Sequence, residues 1–127
     1  YGTARVAMRK GAVDKACLSF STLYGGGARF SSGEDSLFIR DALRKGLKMY
    51  TCPIIIARVR QEESSWFKGY DDKFFIDKGV LLANAFPLMK NLFVYYFAYG
   101  LRKVSKDYDF KKICRLMRQG IREFKKL

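Results

Sequence analysis

A change in charge and hydrophobic pattern at Pro87 most constrains how this chain of 127 residues can fold. Residues 1–86 carry 14 basic and 9 acidic side chains, a net charge of +5, whereas residues 87–127 carry 11 basic and 3 acidic ones, a net charge of +8. We therefore predict two parts, a globular domain over residues 1–86 and a basic, aromatic helical tail over residues 87–127.

The tail combines an aromatic segment with a basic amphipathic helix. The segment Leu92–Tyr99 is uncharged and too short to cross a bilayer as a single helix. Farther on, apolar residues occupy one face of a predicted helix and basic residues another: Phe110, Ile113, Met117, Ile121 and Phe124 against Lys111, Arg115, Arg118, Arg122 and Lys125. This pattern is typical of helices that bind membrane surfaces or partner grooves. It fits equally a helix that packs on the domain and leaves its charges in solvent.

The first part favours a strand, a helix and a second strand. Apolar residues alternate over residues 3–9, and the run Ile54-Ile55-Ile56 predicts a buried strand over residues 49–59. Between them a helix is predicted to begin near Glu34 and to end before Gly46, with an apolar stripe of Leu37, Phe38, Ala42 and Leu43. Helical spacing returns from Asp72 to Ala85. This order predicts an α/β domain.

Composition excludes several classes of chemistry. The sequence contains no histidine, so Ser-His-Asp and Cys-His catalysis and zinc sites built on histidine are ruled out. The cysteines, Cys17, Cys52 and Cys114, are odd in number and far apart, which favours a reducing compartment over a disulfide framework.

Because Tyr1 runs almost directly into the first predicted strand, we expect a fragment of a longer protein; a trimmed tag or a processed chain is the alternative.

Two stretches could carry chemistry. The glycine-rich run at residues 25–33 precedes Glu34 and Asp35 in the first turn of a predicted helix. Acidic residues there can simply oppose the helix dipole, or one carboxylate can accept a proton in a cleft while the other fixes the loop. The second stretch, residues 62–70, holds Trp66 in a polar loop. It suits either a stacking platform for a sugar or base, or a loop anchored in the core.

A resemblance is carried by several segments in order. Residues 24–50, Y-G-G-G-A-R-F-S-S-G-E-D-S-L-F-I-R-D-A-L-R-K-G-L-K-M-Y, resemble the Gly-Glu-Asp segment of bacterial family 2 glycosyltransferases. In that family a strand beginning near a proline, a Ser-Ser/Thr-Trp-Phe-x-Gly-Tyr loop and an aromatic helix with Asp-Lys-Gly follow. This chain has their counterparts at Pro53, at residues 64–70 and at residues 74–79.

The resemblance implies an inverting transferase with a nucleotide-diphospho-sugar donor and an α/β GT-A (Rossmann-like) fold. Residues 1–86 would be its acceptor-side, C-terminal half with few strands. By the same resemblance Asp35 is the general base and Glu34 its neighbour in the acceptor site. The substrate-binding residues would be Gly33, Ser65, Trp66 and Lys68.

The resemblance also implies a divalent metal, Mg²⁺ or Mn²⁺, held mostly by an Asp-x-Asp motif in a half that this chain lacks, so that the chain alone would be inactive. Many members place a histidine ahead of the Trp loop to complete the metal shell, where this sequence has Arg58, Arg60 and Gln61. The implied partners are the donor, a saccharide or polyprenyl-linked saccharide acceptor in cell-surface polysaccharide synthesis, and the cytoplasmic face of the inner membrane. Missing sheet strands would leave edges through which the chain could self-associate.

Two functions of other classes stay open. The net charge of +13, the pI near 9.9 and the aromatic content suit a nucleic-acid-binding module, although no nucleic-acid-binding motif is present. The tail helix would suit a non-enzymatic protein-interaction module that inserts the helix into a partner's groove.

Overall fold

The computed structural model describes residues 6–55, 69–105 and 107–127, and the regular structure of these residues is helical. The helices are α1 (Lys10–Lys15), α2 (Glu34–Arg44), α3 (Asp72–Ala85), α4 (Lys90–Leu101) and α5 (Phe110–Phe124). The chain forms two compact units, Tyr1–Trp66 and Phe67–Leu127. The first unit contains α1 and α2, and the second contains α3, α4 and α5.

The prediction of an α/β, GT-A (Rossmann-like) half is wrong, because the described residues contain no sheet. Residues 6–9 of the first predicted strand and residues 49–55 of the second have no regular structure, and the rest of both predicted strands lies outside the described residues. Among the described residues, Tyr24 and Phe30 form an isolated bridge. A strand is stable only where a neighbour completes its backbone hydrogen bonds. The apolar patterns supplied strand propensity but no such neighbour.

Helix α2 confirms the helix predicted between these segments. It begins at Glu34 and ends at Arg44, and Leu37, Phe38 and Ala42 of its predicted apolar stripe are buried, although Leu43 is exposed. At its end Gly46, with φ of +80°, donates its backbone N–H to the Leu43 carbonyl at 3.0 Å. The N–H of Leu47 donates to the Ala42 carbonyl at 3.0 Å. This is a Schellman motif, with glycine in the left-handed position after the cap.

In the second unit, α3 and α5 cross at a pair of glycines. A Cβ placed on Gly79 of α3 would lie 2.0 Å from the Met117 carbonyl oxygen, and one placed on Gly120 of α5 would lie 2.0 Å from that of Ile76. No other residue type permits this backbone approach. The close crossing brings the two helices into the most extensive contact in the unit.

The core of the second unit lies between its three helices. Its largest fully buried side chains are Phe75, Val80, Val94, Ile113 and Met117. The predicted helical segment at residues 72–85 and the predicted amphipathic helix are both confirmed, as α3 and α5. The apolar face of α5 is buried within this unit rather than exposed. Helix α3, which the sequence analysis assigned to residues 1–86, therefore shares a core with the two helices of the tail.

Candidate active site at the start of helix α2

Backbone hydrogen bonds close the glycine-rich loop that precedes α2. The N–H of Gly25 donates to the carbonyl of Phe30 at 2.9 Å, and the N–H of Phe30 donates to that of Leu23 at 3.0 Å. The rings of Tyr24 and Phe30, both buried, lie 5.2 Å apart at the base of the loop. Because a loop closed by paired hydrogen bonds and buried aromatic rings has few alternative conformations, it presents the start of α2 in a fixed position.

Glu34 fixes this loop from the helix side. Its Oε2 accepts the backbone N–H of Gly33 at 2.9 Å, so the carboxylate turns back towards the loop. A Cβ on Gly25, which has φ of +116°, would lie 3.2 Å from Cδ of Glu34. Glycine at position 25 therefore provides both the left-handed backbone and the space in which the Glu34 carboxylate rests.

Asp35 follows directly in the same turn, with a different environment. The side chain as a whole is half-buried, and its Oδ1 atom is buried. Adjacent residues on a helix point about 100° apart, so Asp35 leaves the helix in a direction other than the one Glu34 takes towards the loop. The structure thus brings together three of the predicted site residues, Gly33, Glu34 and Asp35, at one helix end.

The other predicted site residues cannot be placed beside them. Ser65, Trp66 and Lys68 lie outside the described residues, as do the residues at positions 58–61 that stand where family members have a histidine. Their assignment to a substrate-binding loop stays a prediction.

The Asp-Lys-Gly segment that contributed to the resemblance has identifiable structural roles in α3. Asp77 is 4% exposed and accepts a hydrogen bond from the Lys73 amino group at 2.6 Å. Burial lowers the pKa of Lys78, against the opposing effect of the neighbouring Asp77 carboxylate. Gly79 provides the close approach to α5.

A polar cluster joins the starts of α3 and α5. The hydroxyl of Tyr108 donates to Oδ1 of Asp72 at 2.8 Å, and the Lys112 amino group lies 3.8 Å from the same oxygen. The hydrogen bond to Asp72 raises the pKa of Tyr108, with smaller contributions from desolvation and from nearby carboxylates. The aspartates that precede these helices, Asp71 and Asp109, accept backbone N–H groups of the first turns at 2.7 and 2.6 Å. The two caps fix where each helix begins, and the contacts of Tyr108 and Lys112 with Asp72 join the two helix starts.

The described ranges, 6–55, 69–105 and 107–127, contain no group of three or more His, Cys, Asp or Glu side chains that could hold a metal ion. They therefore offer no ligand set for the divalent metal that the resemblance implies. The prediction that most ligands lie elsewhere in a longer enzyme stays a prediction.

Two features of functional interest were not predicted from the sequence. The first is the contact of Gly25 with Glu34, for which the glycine triplet was the available signal. The second is the outer face of α4, where Leu92, Tyr96 and Tyr99 are exposed. Their spacing of four and three residues was visible in the sequence, but the aromatic run appeared apolar on all sides, so the exposed face was not singled out.

Comparison with known proteins finds no match for this chain. No protein-family model matches the chain, and it matches neither a curated protein sequence nor a solved structure. Of the helices in the described part of the chain, none has the length and apolar character needed to cross a membrane.

Proposed function

We propose that this chain is the acceptor-side part of an inverting glycosyltransferase that uses a nucleotide-diphospho-sugar, with Asp35 as the general base. The acceptor would be a saccharide or a lipid-linked saccharide in cell-surface polysaccharide synthesis. The proposal combines the resemblance to family 2 glycosyltransferases, which covers roughly residues 3–86, with the geometry at the start of α2. The sheet that the resemblance implied is absent from the described residues.

The observation that carries the proposal is the division of roles between two adjacent carboxylates. Glu34 is bound to the loop through the N–H of Gly33, and its carboxylate rests against Gly25. Asp35 is half-buried on the next position of a helix whose start that loop fixes. A general base must be held in one position, because proton transfer requires hydrogen-bond distance to the reacting hydroxyl. The start of α2 meets this requirement for Asp35.

The reaction assigned to this site is a single displacement. The acceptor hydroxyl gives its proton to the Asp35 carboxylate while its oxygen attacks the anomeric carbon of the donor. The bond from that carbon to the diphosphate oxygen breaks, and the nucleoside diphosphate departs with the electron pair. One base is sufficient, and attack from the face opposite the leaving group inverts the configuration at the anomeric carbon. A bound divalent metal would stabilise the diphosphate, whereas the proton transfer needs only the carboxylate.

We also propose that the enzyme works peripherally on the cytoplasmic face of the membrane. The support is the charge of the second unit together with the exposed aromatic side chains of α4. The sequence had suggested this contact for the whole tail, the aromatic helix together with the basic amphipathic helix, but the apolar face of the latter, α5, is buried against its own unit. For the same reason that face is unavailable as a ligand for a partner's groove.

The test is the transfer rate of the full-length enzyme carrying Asp35→Asn. We expect transfer to fall by a factor of about 10² to 10⁴, while the affinity for the donor stays nearly unchanged, because the base contacts the acceptor. Transfer is measured by product formation and donor affinity by calorimetry.

Asp41→Asn provides the matched control. Asp41 lies in the same helix and pairs with Arg40 at 2.8 Å, and its loss changes the charge by the same amount. This variant should retain transfer within a few-fold of the unmodified enzyme. Ordinary turnover by Asp35→Asn, or an equal loss in both variants, would remove the base assignment.

A further inference from the structure

The outer face of α4 is apolar and exposed. Leu92, Tyr96 and Tyr99 are 61%, 71% and 55% exposed. They succeed each other at spacings of four and three residues, so they form one stripe along the helix. Val94 and Ala98, which are fully buried, occupy the opposite side. The helix is thus held by its inner side and presents an aromatic stripe, here defined as Leu92, Tyr96 and Tyr99, to the surroundings.

Cationic side chains border the aromatic stripe. The Arg102 guanidinium carbon lies 4.3 Å from the Tyr99 ring centroid, and the Lys103 amino group lies 5.6 Å from it. On the side facing α5, Arg118 lies 5.2 Å from the ring centroid of Tyr95 and donates a hydrogen bond to its hydroxyl. The contact of Arg118 brings the exposed basic face of α5 next to the aromatic helix.

Acidic side chains are absent from the same stretch of sequence. The chain has no Asp or Glu between Asp77 and Asp107. A surface that combines exposed aromatic rings with cations, in a stretch of sequence without acidic residues, is complementary to anionic lipid. Tyrosine rings favour the headgroup region, where the ring is in apolar surroundings and the hydroxyl is hydrated, and nearby Lys and Arg are attracted to anionic headgroups.

The length of α4 decides how it would meet a membrane. A helix of 12 residues is about 18 Å long, well short of the hydrocarbon thickness of about 30 Å. It is also bound along its inner side by the core of the second unit. It can therefore lie along a surface but cannot span the bilayer.

We propose that the aromatic stripe and its bordering cations, Arg102 and Lys103, form a docking surface for an anionic lipid bilayer, with α4 parallel to the membrane plane. This inference rests on the proposed function and names the residues that would make its membrane contact. It can fail without affecting Asp35, because its test measures vesicle binding and no transfer.

The experiment is flotation of the 127-residue chain with vesicles of phosphatidylcholine, either alone or mixed with phosphatidylglycerol. The unmodified chain should float with the mixed vesicles and stay at the bottom of the gradient with vesicles of phosphatidylcholine alone. The double variant Leu92→Ser/Tyr96→Ser should bind the mixed vesicles about a hundredfold more weakly, since each buried side chain contributes about tenfold. Arg102→Gln/Lys103→Gln should weaken binding by about fivefold for each charge.

Matched controls come from exposed residues of the first unit. Tyr50→Ser/Ile54→Ser removes one aromatic and one aliphatic side chain that are 82% and 68% exposed. Arg44→Gln/Lys48→Gln removes two exposed charges outside the second unit. Both control variants should float as the unmodified chain does. Circular dichroism establishes that every variant is folded, and the charge pair tests the surface even if the apolar pair lowers stability.

Three outcomes would overturn the inference. One is equal flotation with phosphatidylcholine alone, since that would exclude a role for anionic lipid. Another is an effect of the control variants as large as that of the stripe variants. The third is an oligomer of the unmodified chain that Leu92→Ser/Tyr96→Ser converts to a monomer without any vesicle binding. In that case a second copy of the chain, rather than lipid, covers α4.

Discussion

Replacing Gly120 with alanine adds one methyl group where α5 crosses α3. The new carbon would lie 2.0 Å from the Ile76 carbonyl oxygen, whereas ordinary contact begins at 3.4 Å. The obstructing atoms belong to backbone, which cannot rotate away as a flexible side chain can. The helices must therefore separate by about 1.4 Å, the difference between these distances, and the packing of the fully buried Ile113 and Met117 loosens.

We expect Gly120→Ala to lower the free energy of unfolding by about 2 kcal/mol. Overpacking of this kind costs about 3 kcal/mol at the upper end of its range, and the better helix propensity of alanine returns about 1 kcal/mol. For a unit of this size the melting temperature falls by about 8–16 °C. Circular dichroism during heating and in urea measures both quantities. Gly79→Ala should behave in the same way, because its added carbon meets the Met117 carbonyl at the same distance.

Gly100→Ala is the control, since it makes the same chemical change in α4, where nothing lies within 4 Å of the added carbon. It should leave stability unchanged or raise it by up to about 1 kcal/mol. If Gly120→Ala proves as stable as Gly100→Ala, the close crossing of α3 and α5 is incorrect.

Two further predictions concern the candidate site and the polar cluster. Gly25→Ala should destabilise the first unit by about 1–2 kcal/mol, because alanine is strained at φ of +116° and its methyl group presses on the Glu34 carboxylate. Gly26→Ala is the control, since the space around Gly26 is open, and it should have little effect. Thermal unfolding of both variants measures the difference. Because the pKa of Tyr108 is raised, folding favours its protonated form. The hydrogen bond to Asp72 therefore contributes its full stability to the folded chain below pH 10.0, the ordinary pKa of tyrosine. This stability is lost as the pH rises through the higher pKa of the folded chain. In Tyr108→Phe the free energy of unfolding should decrease less steeply above pH 10.0 than in the unmodified chain. An unchanged dependence on pH would contradict this assignment.

The helices could be predicted from the sequence because their signals are local. Glu34 and Asp35 at the first turn, and Gly46 after the cap, mark both ends of α2 within a few residues of chain. The spacing of apolar residues likewise located α3 and α5. The strands were predicted wrongly because an apolar run measures only propensity, and a strand also needs a partner that no local pattern supplies.

The features that could not be predicted depend on approaches between distant residues. A glycine inside a helix is by itself only a cost in helix propensity. Gly79 and Gly120 acquire their role as a pair, because each provides space for the other's helix. The amphipathic pattern of α5 was visible, but the same pattern serves a helix packed in a protein core and one on a membrane. Only the structure therefore shows that the apolar face of α5 is buried.

The candidate site was partly predictable. Adjacent carboxylates at a helix start suggested that one would fix the loop and the other would remain for chemistry, and the contact of Glu34 with Gly33 fits that division. The space at Gly25 was not predictable, because it depends on how the loop folds back on the helix. The role of Trp66 stays a prediction.

The most direct measurement is a structure of the proposed glycosyltransferase with its acceptor and an unreactive donor analogue. The account predicts that a carboxylate oxygen of Asp35 lies within about 3.2 Å of the attacking acceptor hydroxyl, directly or through one water, with Glu34 still bound to the loop. An acceptor hydroxyl that lies beyond hydrogen-bond reach of Asp35 and instead contacts another base would contradict it.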